Sequence, residues 1–191
     1  MADLLLDVAV MLHGDHDPAQ RAQMARLAGR LGYFAVHVPV ECALTNDELE
    51  ELIEAAAPAM VVVDLAGEEP GRVRRADAAA VAEARALLDS SGEHRPLIVD
   101  VPISIGRTRN EAVARADRDP RFAGEAHPSV NGIFGTFEQA QVQVLALAEA
   151  GAEVLLVTVP DELDVADVLA QVRALVVGAT PALFTRGAPG Q

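Results

Sequence analysis

The chain has 191 residues, 51 % of them apolar, with no tryptophan, one tyrosine and five phenylalanines, and a formal charge of −14. That charge excludes a nucleic-acid partner, whose phosphates need a basic footprint, and argues against a membrane surface. All fifteen basic residues are arginine, which excludes Schiff-base chemistry and a Walker-type lysine, and the single cysteine, Cys42, excludes an internal disulfide or a cysteine-rich zinc site.

Residues 4–12 read as a first strand rather than a signal peptide, because Asp3 and Asp7 accompany an apolar run that no basic residue precedes. Asp17-Pro18 supplies an N-cap with proline at the first helical position, and the helix over 19–31 stops at Gly32. Residues 33–40 form a second strand. Thr45, with Glu48 three positions on, is a capping box for a helix that carries Leu49, Leu52 and Ile53 and ends near Pro58. Residues 59–65, AMVVVDL, are apolar almost throughout and predict a strand buried on both faces.

A loop over 67–75 leads to an alanine-rich helix over 76–88, a strand over 97–105 and a helix over 111–116. The aperiodic stretch 117–131 is either a lid or a surface excursion. A helix over 137–149 closed by Gly151, a strand over 154–159 and a helix over 165–176 follow. The tail, 178–191, is rich in glycine and proline and is expected to fray.

This alternation is the pattern of βα units around a parallel sheet, in one α/β domain over 1–177. A complete (β/α)8 barrel takes about 250 residues, so five such strands predict a shortened or incomplete TIM-like barrel. No apolar run is long enough to span a bilayer, and the cytoplasm is the expected compartment.

Several residue groups could carry chemistry. His13 and His16, in HGDHD after the first strand, suit ligand binding or proton transfer, and with Asp15 a metal; the plainer reading is a polar loop ending in the Asp17 cap. Glu41 and Cys42 end the second strand, where a neighbouring carboxylate raises a thiol's pKa. His37, inside that strand, reads as a hydrogen-bonded structural histidine. Gly67 and Arg72 belong to a loop that either holds a phosphate or pairs its arginines with Glu68 and Glu69. Arg107, Thr108 and Arg109 offer a basic strand end or a helix cap with surface arginines. Gly135 and Thr136 offer a helix N-terminus for an anion or a turn glycine and an N-cap.

Three stretches, MARLAGRLGYFAVHVPVE, IGRTRNEAVARA and the Gly132–Gly135–Thr136 turn leading to Ala150-Gly151, stand in an order that resembles the luciferase-like flavin monooxygenases. That group includes the deazaflavin (F420)-dependent reductases. The resemblance implies a luciferase-like barrel and an oxidoreductase, monooxygenase-type, that uses FMN or F420 on a small organic substrate. It implies proton handling by His13, His16 and Glu41. Cofactor contacts would fall to Arg107, Thr108, Arg109, Gly67, Arg72, Gly135 and Thr136, and the subunits would pair as a homodimer. Two departures stand out: the long insertion after the second strand is missing, and Cys42 follows Glu41 where the family commonly has histidine. They leave an alternative, a non-catalytic flavin-binding or structural subunit that keeps the scaffold.

Overall fold

The computed structural model describes residues 6–64, 71–92, 95–119, 131–160 and 164–179. Local chemistry sets the first elements. Strand β1 (Asp7–Met11) leads into helix α1 (Pro18–Leu31), whose N-cap Asp17 accepts the Gln20 N–H at 2.8 Å while Gln20 Oε1 accepts the Asp17 N–H at 2.9 Å. Gly32 ends α1 with φ 74°, a left-handed turn open to glycine at little cost. After β2 (Ala35–Val38), the Thr45–Glu48 capping box opens α2 (Asn46–Ala56) as the sequence predicts.

The remaining elements are β3 (Met60–Val63), β4 (Arg72–Val73), α3 (Ala78–Ser91), β5 (Ile98–Ile105), α4 (Arg109–Arg118), β6 (Ile133–Gly135), α5 (Phe137–Glu149), β7 (Val154–Thr158) and α6 (Val165–Ala179). All strand pairs are parallel, in the order β3-β2-β1-β7-β5-β4, with β6 on the carboxyl half of β5. Among the described residues the sheet thus has seven strands where the periodicity predicts five. Strands β4 and β6 are two and three residues long, too short to show an alternation.

Alternation along the strands gives the sheet two faces. Val8, Val10, Val36, Val38, Leu155 and Val157 belong to the main core, together with Met24, Leu52, Val144 and Leu169 of the helices. Ala9, Ala35, Val154 and Leu156 form a second cluster on the inner face, joined by Met11, Val62 and Ile98. Helix α4 departs from its fellows. Ser104 and Phe134 are in register on the face opposite Ile103 and Ile133, and α4 packs Ala112 and Ala116 against Phe134 there. A right-handed crossover on that face runs the opposite way, which explains why β6 leaves the main path and β5 pairs directly with β7, from Ile98–Val154 to Pro102–Thr158. A barrel built in chain order would have β6 between them.

One expectation is corrected. Strand β3 is not buried on both faces: it is a sheet edge, and among the described residues no helix follows it before β4, so Met60 and Val63 are about half exposed. Helices α1 and α2 cross closely at Gly29, where an added Cβ would lie 2.2 Å from the Ala56 carbonyl oxygen.

Candidate functional site at the carboxyl ends of the strands

In parallel α/β sheets, ligands bind beyond the carboxyl ends of the strands, where loops meet and helix N-termini point. Here the loop after β1 is tied down on two sides. His13 is buried, with Nε2 3.1 Å from the carbonyl oxygen of Val159 beyond β7. Cys42 Sγ lies 3.8 Å from the His13 carbonyl oxygen, and the Glu41 side chain runs past Gly14. The rings of His13 and His16 meet edge to face at 4.7 Å. The structure therefore brings His13, His16, Glu41 and Cys42 together, with Glu41 exposed to solvent. Burial pushes the Cys42 thiol up; Glu41 and Asp15 add to this, against the pull of Arg21, so the residue is not a ready thiolate. A cleft of about 250 Å³ opens beside this loop, lined by His16, Gln20, Gln23, Met24 and Val165.

At the end of β5, the Arg107 guanidinium is exposed and makes no ion pair among the described residues. Arg109 Nη1 is 3.4 Å from the Phe134 carbonyl oxygen. Several backbone donors nearby are already engaged. Thr108 caps α4, and the Arg107 N–H donates to Glu111 Oε2 at 3.1 Å. Glu111 is itself held by Arg115 Nη2 at 3.2 Å. Gly135 and Thr136 show the same economy: Thr136 and Gln139 form a capping box, and a Cβ on Gly135 would lie 2.6 Å from Gln139 Oε1. Thr136 serves α5 as its N-cap, and Gly135 is the last residue of β6, where a side chain would collide with Gln139. Gly67 lies outside the described residues.

Arg72 is a correction. The sequence places it on a loop that either holds a phosphate or pairs its arginines with Glu68 and Glu69; it opens β4 instead, and its guanidinium pairs with Asp64 and Asp100. Its Nη1 lies 2.8 Å from Asp64 Oδ2, and its Nη2 2.7 Å from Asp100 Oδ2. Asp64 Oδ1 meets His37 Nδ1 at 2.8 Å, which bears out the reading of His37 as a hydrogen-bonded histidine. Burial pushes the Asp64 carboxyl up, but the hydrogen bonds from His37 and Arg72, with the Arg72 charge, more than offset it and hold the group below its ordinary value. Burial likewise works against the Arg72 charge, and the two carboxylates outweigh it.

Asp64 and Asp100 are absent from the residues singled out in the sequence, although a signal existed. Each is a lone carboxylate in an apolar strand, VVVD and LIVDVPI, and a buried carboxylate requires a cation or donors close by. Among the described residues no group of three or more His, Cys, Asp or Glu side chains is arranged to hold a metal, and no helix is long and apolar enough to cross a membrane.

No protein-family model matches the chain, and no curated protein matches it. Among solved structures it is similar to the (S)-3-O-geranylgeranylglyceryl phosphate synthase of Thermoplasma acidophilum, at 14 % identity and a TM-score of 0.42, over 90 % of this chain and 93 % of that one. It is also similar to a putative RNA methyltransferase of the TrmH family from Porphyromonas gingivalis, at 14 % identity and a TM-score of 0.34, over 92 % of this chain and 61 % of that one. Likenesses this distant carry no argument about what this chain does.

Proposed function

We propose that the chain is a shortened luciferase-like barrel protein that holds a phosphate-bearing cofactor, FMN or F420, at the carboxyl ends of its strands and acts as an oxidoreductase on a small organic substrate. The observation that supports this reading is the pair Arg107 and Arg109, two exposed guanidiniums at the end of β5 in a protein of charge −14. They stand at the same end of the sheet as His13, His16 and Glu41. Guanidiniums recognise phosphate oxygens through paired charge-assisted hydrogen bonds. The buried edge of that site, His13 against Val159, fixes the loop from which His16 faces the cleft. His16 and Glu41 are the groups placed to hold or move a proton there.

The fit of the cofactor divides in two. Its phosphate end is matched by Arg107 and Arg109. Little among the described residues matches its ring: Tyr33 and Phe134 are buried in the core, Phe137 packs against the core, and the cleft beside His16 is lined by no phenylalanine or tyrosine. At about 250 Å³ it also falls short of the roughly 300–1,000 Å³ common for ligand pockets. These observations favour a second reading, a non-catalytic relative that keeps the scaffold. The exposed edge of β3, with Met60 and Val63, and Ile53 of α2 support pairing of two copies in either case.

Titration of the purified chain with FMN, reduced FMN and F420, followed by fluorescence and calorimetry, tests the proposal. Saturable binding at about micromolar levels, weakened by Arg107→Ala with Arg109→Ala, supports it. Folded protein that binds none of the three sinks the cofactor reading and leaves the scaffold.

A further inference from the structure

Strands β3 and β4 stand at the two ends of the strand order, and among the described residues no ladder joins them. Side chains cross the gap instead. From the first position of β4, Arg72 reaches Asp64, just past the end of β3, at 2.8 Å, and Asp100 on β5 at 2.7 and 3.2 Å. Asp64 in turn holds His37 of β2 at 2.8 Å. Four consecutive positions around the sheet, β2, the end of β3, β4 and β5, are thereby linked through one guanidinium and the Asp64 carboxylate. On the same face as this chain of ions lie Ala9, Ala35 and Leu156, each 0 % exposed.

Backbone pairing at the seam is thin. β4 is held to β5 over only Arg72–Ile98 and Val73–Val99, and β3 has one paired edge and two half-exposed apolar side chains. Elements with few buried contacts open at lower cost than the whole molecule, as local units. We propose that Arg72 is a latch: while it bridges Asp64 and Asp100 the inner face of the sheet is shut, and on its release β3 and β4 part and admit solvent to Ala9, Ala35 and Leu156, with the β1–β7–β5 centre intact. The latch is ionic on both sides. Asp64 is faced by His37 from β2 and by Arg72 from β4, and Asp100 by Arg72 alone among the described residues.

Hydrogen exchange of the full chain at neutral pH, resolved to single amides, reads the latch directly. The Met60 and Asp64 amides, bonded to the Phe34 and Val38 carbonyl oxygens, report β3; the Ile98 amide, bonded to the Gly71 carbonyl oxygen, reports β4. In Arg72→Met these three lose protection by about tenfold or more, as expected for loss of charged hydrogen bonds, while the β1–β7 ladder amides keep theirs. Arg72→Lys, which restores a charge without the fork, falls between. An equal loss in every strand, or no loss at β3 and β4, overturns the proposal. Should Arg72→Met not fold, the wild-type chain decides: on acidification from pH 6 to pH 2 the seam amides lose protection first, and a seam still as protected as β1–β7 at pH 2 overturns the latch.

Discussion

His13 Nε2 lies 3.1 Å from the carbonyl oxygen of Val159, joining the first βα loop to the end of the last strand across 146 residues. The contact closes the carboxyl side of the β1–β7 pair, the centre of the strand order, and makes His13 a structural member of the loop that presents His16. His13→Ala removes a buried donor and leaves its surroundings unfilled. We expect a loss of about 1–3 kcal/mol, read as a lower urea midpoint. His16→Ala, at a partly exposed ring, costs less than about 1 kcal/mol. Equal costs for the two substitutions would contradict the assignment of their roles.

The Asp64 carboxyl is held below its ordinary value in the folded chain, so the folded state binds fewer protons than the unfolded one as the pH falls through the usual carboxylate range. Its contribution to stability is therefore full above the unfolded pKa of about 3.9 and is lost as the pH drops through the lower folded value. Urea midpoints measured from pH 6 down to pH 2 should fall for the wild type, and Asp64→Asn should flatten that fall while lowering stability at pH 6. An unchanged pH profile in Asp64→Asn would contradict the pairing with His37 and Arg72.

Gly29 lies in the interior of α1, where alanine is ordinarily the better helix former by about 1 kcal/mol. Here the added methyl group would meet the Ala56 and Ala57 carbonyl oxygens at 2.2 and 2.8 Å. Gly29→Ala should therefore destabilise the chain by about 1–3 kcal/mol, measured by thermal or urea unfolding. A more stable variant would mean that α1 and α2 do not cross at this position.

Cys42 is buried and its thiol titrates above the ordinary value, with burial as the main cause. Alkylation by iodoacetamide at pH 7 should be many times slower in the folded chain than in urea. Rapid labelling of the native protein would contradict both the burial and the reading of Cys42 as an inert residue.

Much of the fold was legible because its signals are local. Asp17-Pro18, the Thr45–Glu48 box, Gly32 and Gly151 each fix a helix end through neighbours within a few residues, and the long helices and apolar strands between them follow. What escaped depends on distant partners. Arg72–Val73 and Ile133–Gly135 are strands only because β5 lies beside them. The loop reading of Arg72 failed because its partners, Asp64 and Asp100, come from other strands. The exposure of β3 could not be read from AMVVVDL, since it depends on which element stands next to it in space. For the candidate site, HGDHD and GRTR were visible as strand-end loops; that Glu111 and Gln139 engage the helix N-termini there was a matter of side-chain geometry.

The claim that Arg107 and Arg109 receive a cofactor phosphate is tested most directly by calorimetric comparison of FMN with riboflavin, which carries the same ring without the phosphate. The wild-type chain should bind FMN about tenfold or more tightly than riboflavin, with the difference lost in Arg107→Ala, Arg109→Ala. Equal affinity for the two ligands in the wild type, or a preference for FMN that survives both substitutions, would contradict the proposed site.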